Sequence, residues 1–340
     1  MEKQRIAWVD YAKGLSMCLV ILFHTHGPQV IQPLACIPKL AVFFFMAGMF
    51  AHPEKHTGWG HFFRHKTLRL LIPYICFNIV TYLFWLFVSS RFGADAGNNP
   101  AWWEPFYGML YGTSPTLIHY APLWFLPCLM VTELLFYIVF RYTHGYWSAL
   151  CVLTIAGGGC LYSHLHNVLL PWGIGSAMVM LPLYSAGYLL ANKTITISTQ
   201  SKWWHQALVF VLSTTVVMLM YKLNGYARVS TVSLGNCAYA YIAFISTITM
   251  ILSLAMMMER FPGYHFPFLT FIGQNTLIYL CLHIMLFTLI KGICVFVFHL
   301  PLTVFSTATG CIGLTLGTMI MGILLVWGIK KYVPFIIGKF

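Results

Sequence analysis

The sequence predicts an all-α integral membrane protein of about ten transmembrane helices, with both termini in the cytoplasm. Three observations carry this. Of the 340 residues, 59% are hydrophobic and 8% charged, and the mean hydropathy is +0.79, too little polar surface for a water-soluble globule. Apolar stretches of about twenty residues recur from end to end, without the period-two alternation of barrel strands. Lys and Arg are divided unevenly between alternate loops. The apolar stretches leave no room for a separate soluble domain, so 1–340 reads as one membrane domain.

Ten segments follow in order: 8–27, 34–51, 70–90, 121–141, 146–163, 168–191, 207–221, 234–258, 268–290 and 304–329. Lys3 and Arg5 precede the first, and Lys55, Arg64, Lys66 and Arg69 fill the gap before the third. Arg141 closes the fourth, Lys193 and Lys202 separate the sixth from the seventh, Arg260 follows the eighth, and Lys330, Lys331 and Lys339 follow the tenth. The opposite side holds Lys39, Arg91, Lys222, Arg228 and Lys291. With Lys13, fourteen of the 19 basic residues fall on the side of the termini and five on the other, which makes the termini cytoplasmic. The net charge of +12 is therefore a topology signal and gives no indication of nucleic acid. Lys3 and Arg5 before an apolar run resemble a signal peptide, but the small-residue cleavage pattern is missing and Asp10 and Lys13 interrupt the run, so the first span is read as retained. The ten cysteines lie almost wholly in apolar segments with no Cys-x-x-Cys pair and read as small core residues.

The first span carries three ionisable residues, Asp10, Lys13 and His24, and a charge in hydrocarbon calls for a partner or a task. At about 100° and 1.5 Å per residue, Lys13 and His24 return to within about 20° of one face after about 16 Å, and Asp10 joins them. His26 points about 160° from Asp10 by the same count and leaves the stripe. His24-Thr25-His26 is therefore a poor zinc site, and no metal is expected. Asp10 and Lys13 are close enough for a local pair, while snorkelling of Lys13 to the inner interface is equally open. The stretch from His52 to Arg69 reads as a cytoplasmic loop in which Arg64, Lys66 and Arg69 can hold phosphates, or serve topology and lipid headgroups. Asn275, Tyr279 and His283 recur every four residues and form a second polar line, suited to ligand contact or to hydrogen bonds between helices. Glu133 can orient a histidine or pair with a base, and Trp124 reads as packing. In the loop 91–121, Asp95, Asn98, Asn99, Trp102, Trp103, Glu104 and Tyr107 suit sugar contact or an aromatic interfacial belt equally well.

Trp8-Val9-Asp10-Tyr11-Ala12-Lys13-Gly14 followed by His24 resembles the opening of the acyltransferase 3 family of membrane acyltransferases, in which ten positions separate a basic residue from a histidine. Val42 to Phe50 is similar to its Phe-Phe-x-x-Ser-Gly segment, with Ala47 in place of serine, and Arg64 to Tyr74 to its basic stretch before Leu-x-Pro, with Lys66-Thr67-Leu68-Arg69 for Arg-x-x-Arg. Leu123-Trp124-Phe125-Leu126 and Phe271 to His283 resemble two later signatures, so the likeness runs in order from Trp8 to His283. The compact length most resembles the sugar O-acetylase branch, similar to fucose 4-O-acetylases.

The resemblance implies transfer of an acetyl group from cytoplasmic acetyl-CoA to a hydroxyl of a surface carbohydrate, across a bacterial inner membrane. His24 is the expected general base, because neutral imidazole can take the hydroxyl proton as it attacks a thioester. Asp10, Lys13 and His283 are its expected companions, and Arg64, Lys66, Arg69, Asn275 and Tyr279 the expected donor contacts. Two rivals stand beside this reading. A transporter or flippase also buries charges among ten helices, although no second copy of the first-span pattern is found. A non-catalytic membrane scaffold of the same fold is compatible with Ala47 and Lys66.

Overall fold

The computed structural model describes residues 6–92, 100–166, 168–261 and 265–338; Asp95, Asn98, Asn99, Lys3, Arg5 and Lys339 lie outside them. The described chain is helical, without a named strand. Among the described residues nine helices are long and apolar enough to cross a bilayer. A tenth, α1 (Ala7–Phe23), has 17 residues. The others are α2 (Leu40–Met49), preceded by the turn Gln32–Ala35, then α3 (Trp59–Lys66), which runs through a wide π turn (Thr67–Leu71) into α4 (Ile72–Phe84). They continue with α5 (Phe125–Tyr142), α6 (Tyr146–Leu165), α7 (Ile174–Gln200), α8 (Trp203–Asn224), α9 (Cys237–Glu259), α10 (Pro267–Gln274), α11 (Thr276–Phe296) and α12 (Ala308–Tyr332). All ten expected segments are present. The side of the bundle where α1 starts, with the Trp8 N–H donating to Glu259 at the end of α9, is called here the near end.

α1 is the axis of the molecule. It packs against α2, α9, α10, α11 and α12, and Trp8, Ala12 and Ile21 are wholly buried. A helix carrying Asp10, Lys13 and His24 belongs there, because protein neighbours can supply polar partners that lipid cannot. α10 meets it at Gly273, where an added Cβ would fall 1.9 Å from the Asp10 carbonyl oxygen. The same close approach joins α2 to α7 at Gly48 and Gly187.

Three expectations need correction. The first span stops at Phe23 rather than Gly27, because the chain turns at His24 and His26 adopts a left-handed φ of 53°. The stretch read as a loop from His52 to Arg69 is helical from Trp59 onward. Phe62 anchors it, stacking on Tyr137 at 4.4 Å, and the Trp59 indole donates to the Tyr142 hydroxyl. Asn275 does not lie within the helix of Tyr279 and His283 but caps it: it has φ and ψ of −124° and 21°, its carbonyl accepts from the Tyr279 N–H, and its side-chain amide donates back to the Phe271 carbonyl at the break between α10 and α11.

At the far end a loop is pinned to α4 through His119. Its Nε2–H donates to Asn78 Oδ1 at 3.0 Å, while Nδ1 is buried without a partner, so a second proton would have nowhere to go. Burial lowers this histidine to about 4 from the ordinary value near 6.5. The unfolded chain therefore takes up a proton that the fold resists, and this contribution to stability, complete above about pH 6.5, is lost as pH falls toward 4. His119→Gln keeps the donor and removes the titration. It is expected to lose less thermal stability than the parent between pH 7 and 5; equal losses would show that His119 does not carry the effect.

Candidate active site

Two residues far apart in sequence meet where α1 ends. His283 Nε2 lies 3.2 Å from His24 Nδ1, with the ring centroids 4.8 Å apart. α11 presents a fully buried His283 to the turn that stops α1. The protons follow from the partners. His283 Nδ1 lies 2.9 Å and 3.0 Å from the carbonyls of Tyr279 and Leu280, which only accept, so Nδ1 carries the hydrogen and Nε2 a lone pair. His24 Nδ1 lies 2.8 Å from the Val20 carbonyl and so also donates, sharing its hydrogen between that oxygen and His283 Nε2. The lone pair of neutral His24 is thereby left on Nε2, which makes no hydrogen bond among the described residues. Tyr120 braces the pair, accepting from the Ile284 N–H and lying 3.4 Å from His283 Nδ1.

His24 lines a cavity of about 90 Å³ together with Lys39, Ser114, Trp124, Tyr226 and Ser230. These belong to far-end loops and helix ends. Lys39 is 2% exposed; its ammonium donates to the Ala35 carbonyl and stands 3.9 Å over the Phe23 ring. Sequence reasoning placed it only in the topology count, since a single lysine before an apolar run carries no local sign of what surrounds it. Tyr120 was missed for the same reason.

The other expected residues lie elsewhere. Asp10 accepts from the Gln274 side chain at 3.1 Å, about 21 Å along the helix from His24. Lys13 stands 5.4 Å over the Phe50 ring. The three residues of the expected stripe have different partners, Gln274, Phe50 and His283, and are spread along the axis of α1. Asn275 stands at the helix break and Tyr279 donates to the Met319 carbonyl at 2.7 Å, which ties α11 to α12. Toward the near end, the π turn directs Lys66 inward to Glu133, with 2.9 Å between Nζ and Oε2, and leaves Arg64 and Arg69 exposed. Tyr184 donates to the other Glu133 oxygen at 3.4 Å. Of the three expected phosphate contacts, two guanidinium groups remain open to a ligand and the lysine is already neutralised by a carboxylate.

A family model described as an acyltransferase domain matches residues 6–329. No curated protein and no solved structure matches the chain.

The Lys66 and Glu133 side chains are 13% and 11% exposed, so each depends on the other. Glu133→Gln is expected to cost about 3–5 kcal/mol by stranding the ammonium, whereas Lys66→Met with Glu133→Leu together should recover most of it. Thermal unfolding of the purified variants checks this, and additive losses would contradict a mutual pair.

Proposed function

This chain belongs to the acyltransferase 3 family of membrane acyltransferases, and from that premise we propose that it moves an acetyl group from acetyl-CoA to a hydroxyl of a surface carbohydrate. The observation that carries the reading is the bond between His24 and His283, which leaves the His24 Nε2 lone pair unused beside a cavity. The division of basic residues supports a cytoplasmic near end in a bacterial-type inner membrane, which puts the histidine pair toward the outside.

The near end fits a polyanionic donor. Arg64 and Arg69 are exposed, and two guanidinium forks can each take a phosphate in bidentate fashion. Lys66 helps by position, holding the π turn against α5 through Glu133.

At the far end His24 Nε2 accepts the proton of the acceptor hydroxyl as its oxygen attacks the thioester carbonyl. The C–O bond forms, the C–S bond breaks, and the departing thiolate takes the proton back from His24. During that interval His24 is an imidazolium. His283 is its positioning residue: Nε2 accepts from His24 Nδ1–H, holds the ring in the reactive tautomer and spreads the transient charge, in the manner of an orienting group behind a catalytic base. Being itself held by two carbonyls, His283 cannot turn to offer its other nitrogen. The neutral partner suits a buried site, since it adds no charge in the resting state.

Two measurements test this. Acetyl content of surface glycans is compared in cells carrying the gene, lacking it, or carrying His24→Ala at equal membrane abundance. A loss of about 10²–10⁴ in rate is expected for the missing base, and full acetylation by His24→Ala would refute its role. Arg69→Ala should weaken protection of the purified protein by acetyl-CoA, most strongly at low salt, and unchanged protection would remove the guanidinium pair from donor binding.

A further inference from the structure

We propose that Lys39 forms an anion-binding subsite beside His24, so that the acceptor presents a carboxylate or phosphate to Lys39 while its hydroxyl meets His24; this rests on reading the far-end cavity as the acceptor's entrance. The lysine sits in the link between the turn Gln32–Ala35 and α2, and it is 98% inaccessible. Its ammonium has three donors. One goes to the Ala35 carbonyl; the charge otherwise faces aromatic rings, Phe23 at 3.9 Å and Tyr226 at 5.7 Å, and no carboxylate lies within 4 Å among the described residues. A buried cation without a carboxylate is unstable by itself and becomes favourable when an anion arrives.

The surroundings repeat the sign. Arg228 stands 5.9 Å over the same Tyr226 ring that faces Lys39, so two cations flank one aromatic wall of the cavity. The described acid of the far-end loops, Glu104, accepts from the Ala101 N–H and lines neither this cavity nor the groove beside it. That groove, about 260 Å³, is continuous in sequence with the cavity wall through Ser114-Pro115 and Ser230-Thr231, and Tyr162, Ser163, Thr231 and Ser233 give it hydroxyls. It suits the uncharged hydroxyls of a sugar, and Lys39 suits a negative group on that sugar or its neighbour. The recognition is specific in a way that a hydroxyl-lined groove alone is not, because a neutral acceptor would leave the buried ammonium uncompensated.

The test uses the full chain in phosphatidylcholine nanodiscs and measures Kd calorimetrically for methyl glucoside, methyl glucuronoside and glucose 6-phosphate. The two anions are expected to bind at least about tenfold tighter than the neutral glycoside, a ratio erased by Lys39→Met and kept by Lys39→Arg. Arg228→Gln, on a loop where folding is less at stake, should reduce the ratio in part. Equal affinities in the parent protein, or a preference that survives Lys39→Met, would overturn the proposal. Doping the discs with phosphatidylglycerol separates sources: if the lipid abolishes the sugar preference, the subsite takes a lipid headgroup and the acceptor assignment falls. Transfer of labelled acetyl from acetyl-CoA is followed separately. Anion preference without transfer would support the subsite and defeat the acyltransferase reading of this cavity, while transfer to the neutral and charged glycosides with equal KM would do the reverse.

Discussion

The structure depends on one constraint: a helix that carries ionisable groups through a bilayer must find its polar partners in protein. The chain meets it with a single later segment. α10 packs antiparallel to α1, with Leu269 beside Gly14 and Gly273 beside Asp10, and α11 then follows α1 to the far end; the segment answers it twice, with Gln274 for Asp10 toward the near end and His283 for His24 at the far end. Along α1 these contacts are about 21 Å apart, whereas nine helical positions from Gln274 to His283 span about 13 Å. The non-helical residue Asn275 and the reach of the side chains cover the difference. The break in the segment is thus part of how one partner serves both ends, and Gly273 permits it by letting the two backbones touch.

From this follows a separation of labour. The near end holds exposed arginines on a helix whose wide turn is clamped by an ion pair, and the far end holds paired histidines beside a buried lysine. α1 and the α10–α11 segment carry polar groups toward both. The proposed donor is charged and the proposed acceptor polar, and this separation serves both, since neither dissolves in the hydrocarbon between the two ends.

Much of this was legible in the residues themselves. Ten apolar segments, the uneven basic loops and the order of five motifs pointed to the fold and the family, and His24 and His283 were both singled out, because intramembrane histidines at helical spacing are conspicuous. What spacing did not convey was partnership. His24 and His283 are 259 positions apart, Lys66 and Glu133 are 67 apart, and their meeting is set by packing of helices whose facing sides are apolar and interchangeable in sequence. Angular counting also fails where a helix stops: His26 is off the site because the chain turns at His24, and the 160° that a continued helix would give has no meaning there. Lys39 was counted as a loop charge because its burial depends on Phe23 and Tyr226, brought to it from opposite directions in the chain.

The central claim is a proton arrangement, in which His283 holds Nδ1–H against two carbonyls and thereby keeps the lone pair of His24 on Nε2. Nitrogen-15 NMR of the full chain with labelled histidine, assigned by difference with His24→Gln and His283→Gln, reads this directly at neutral pH. The account predicts neutral rings with hydrogen on Nδ1 for both residues, and a shift of the His24 tautomer equilibrium toward Nε2–H when His283 is replaced. Hydrogen on Nε2 of His24 in the parent protein would contradict it.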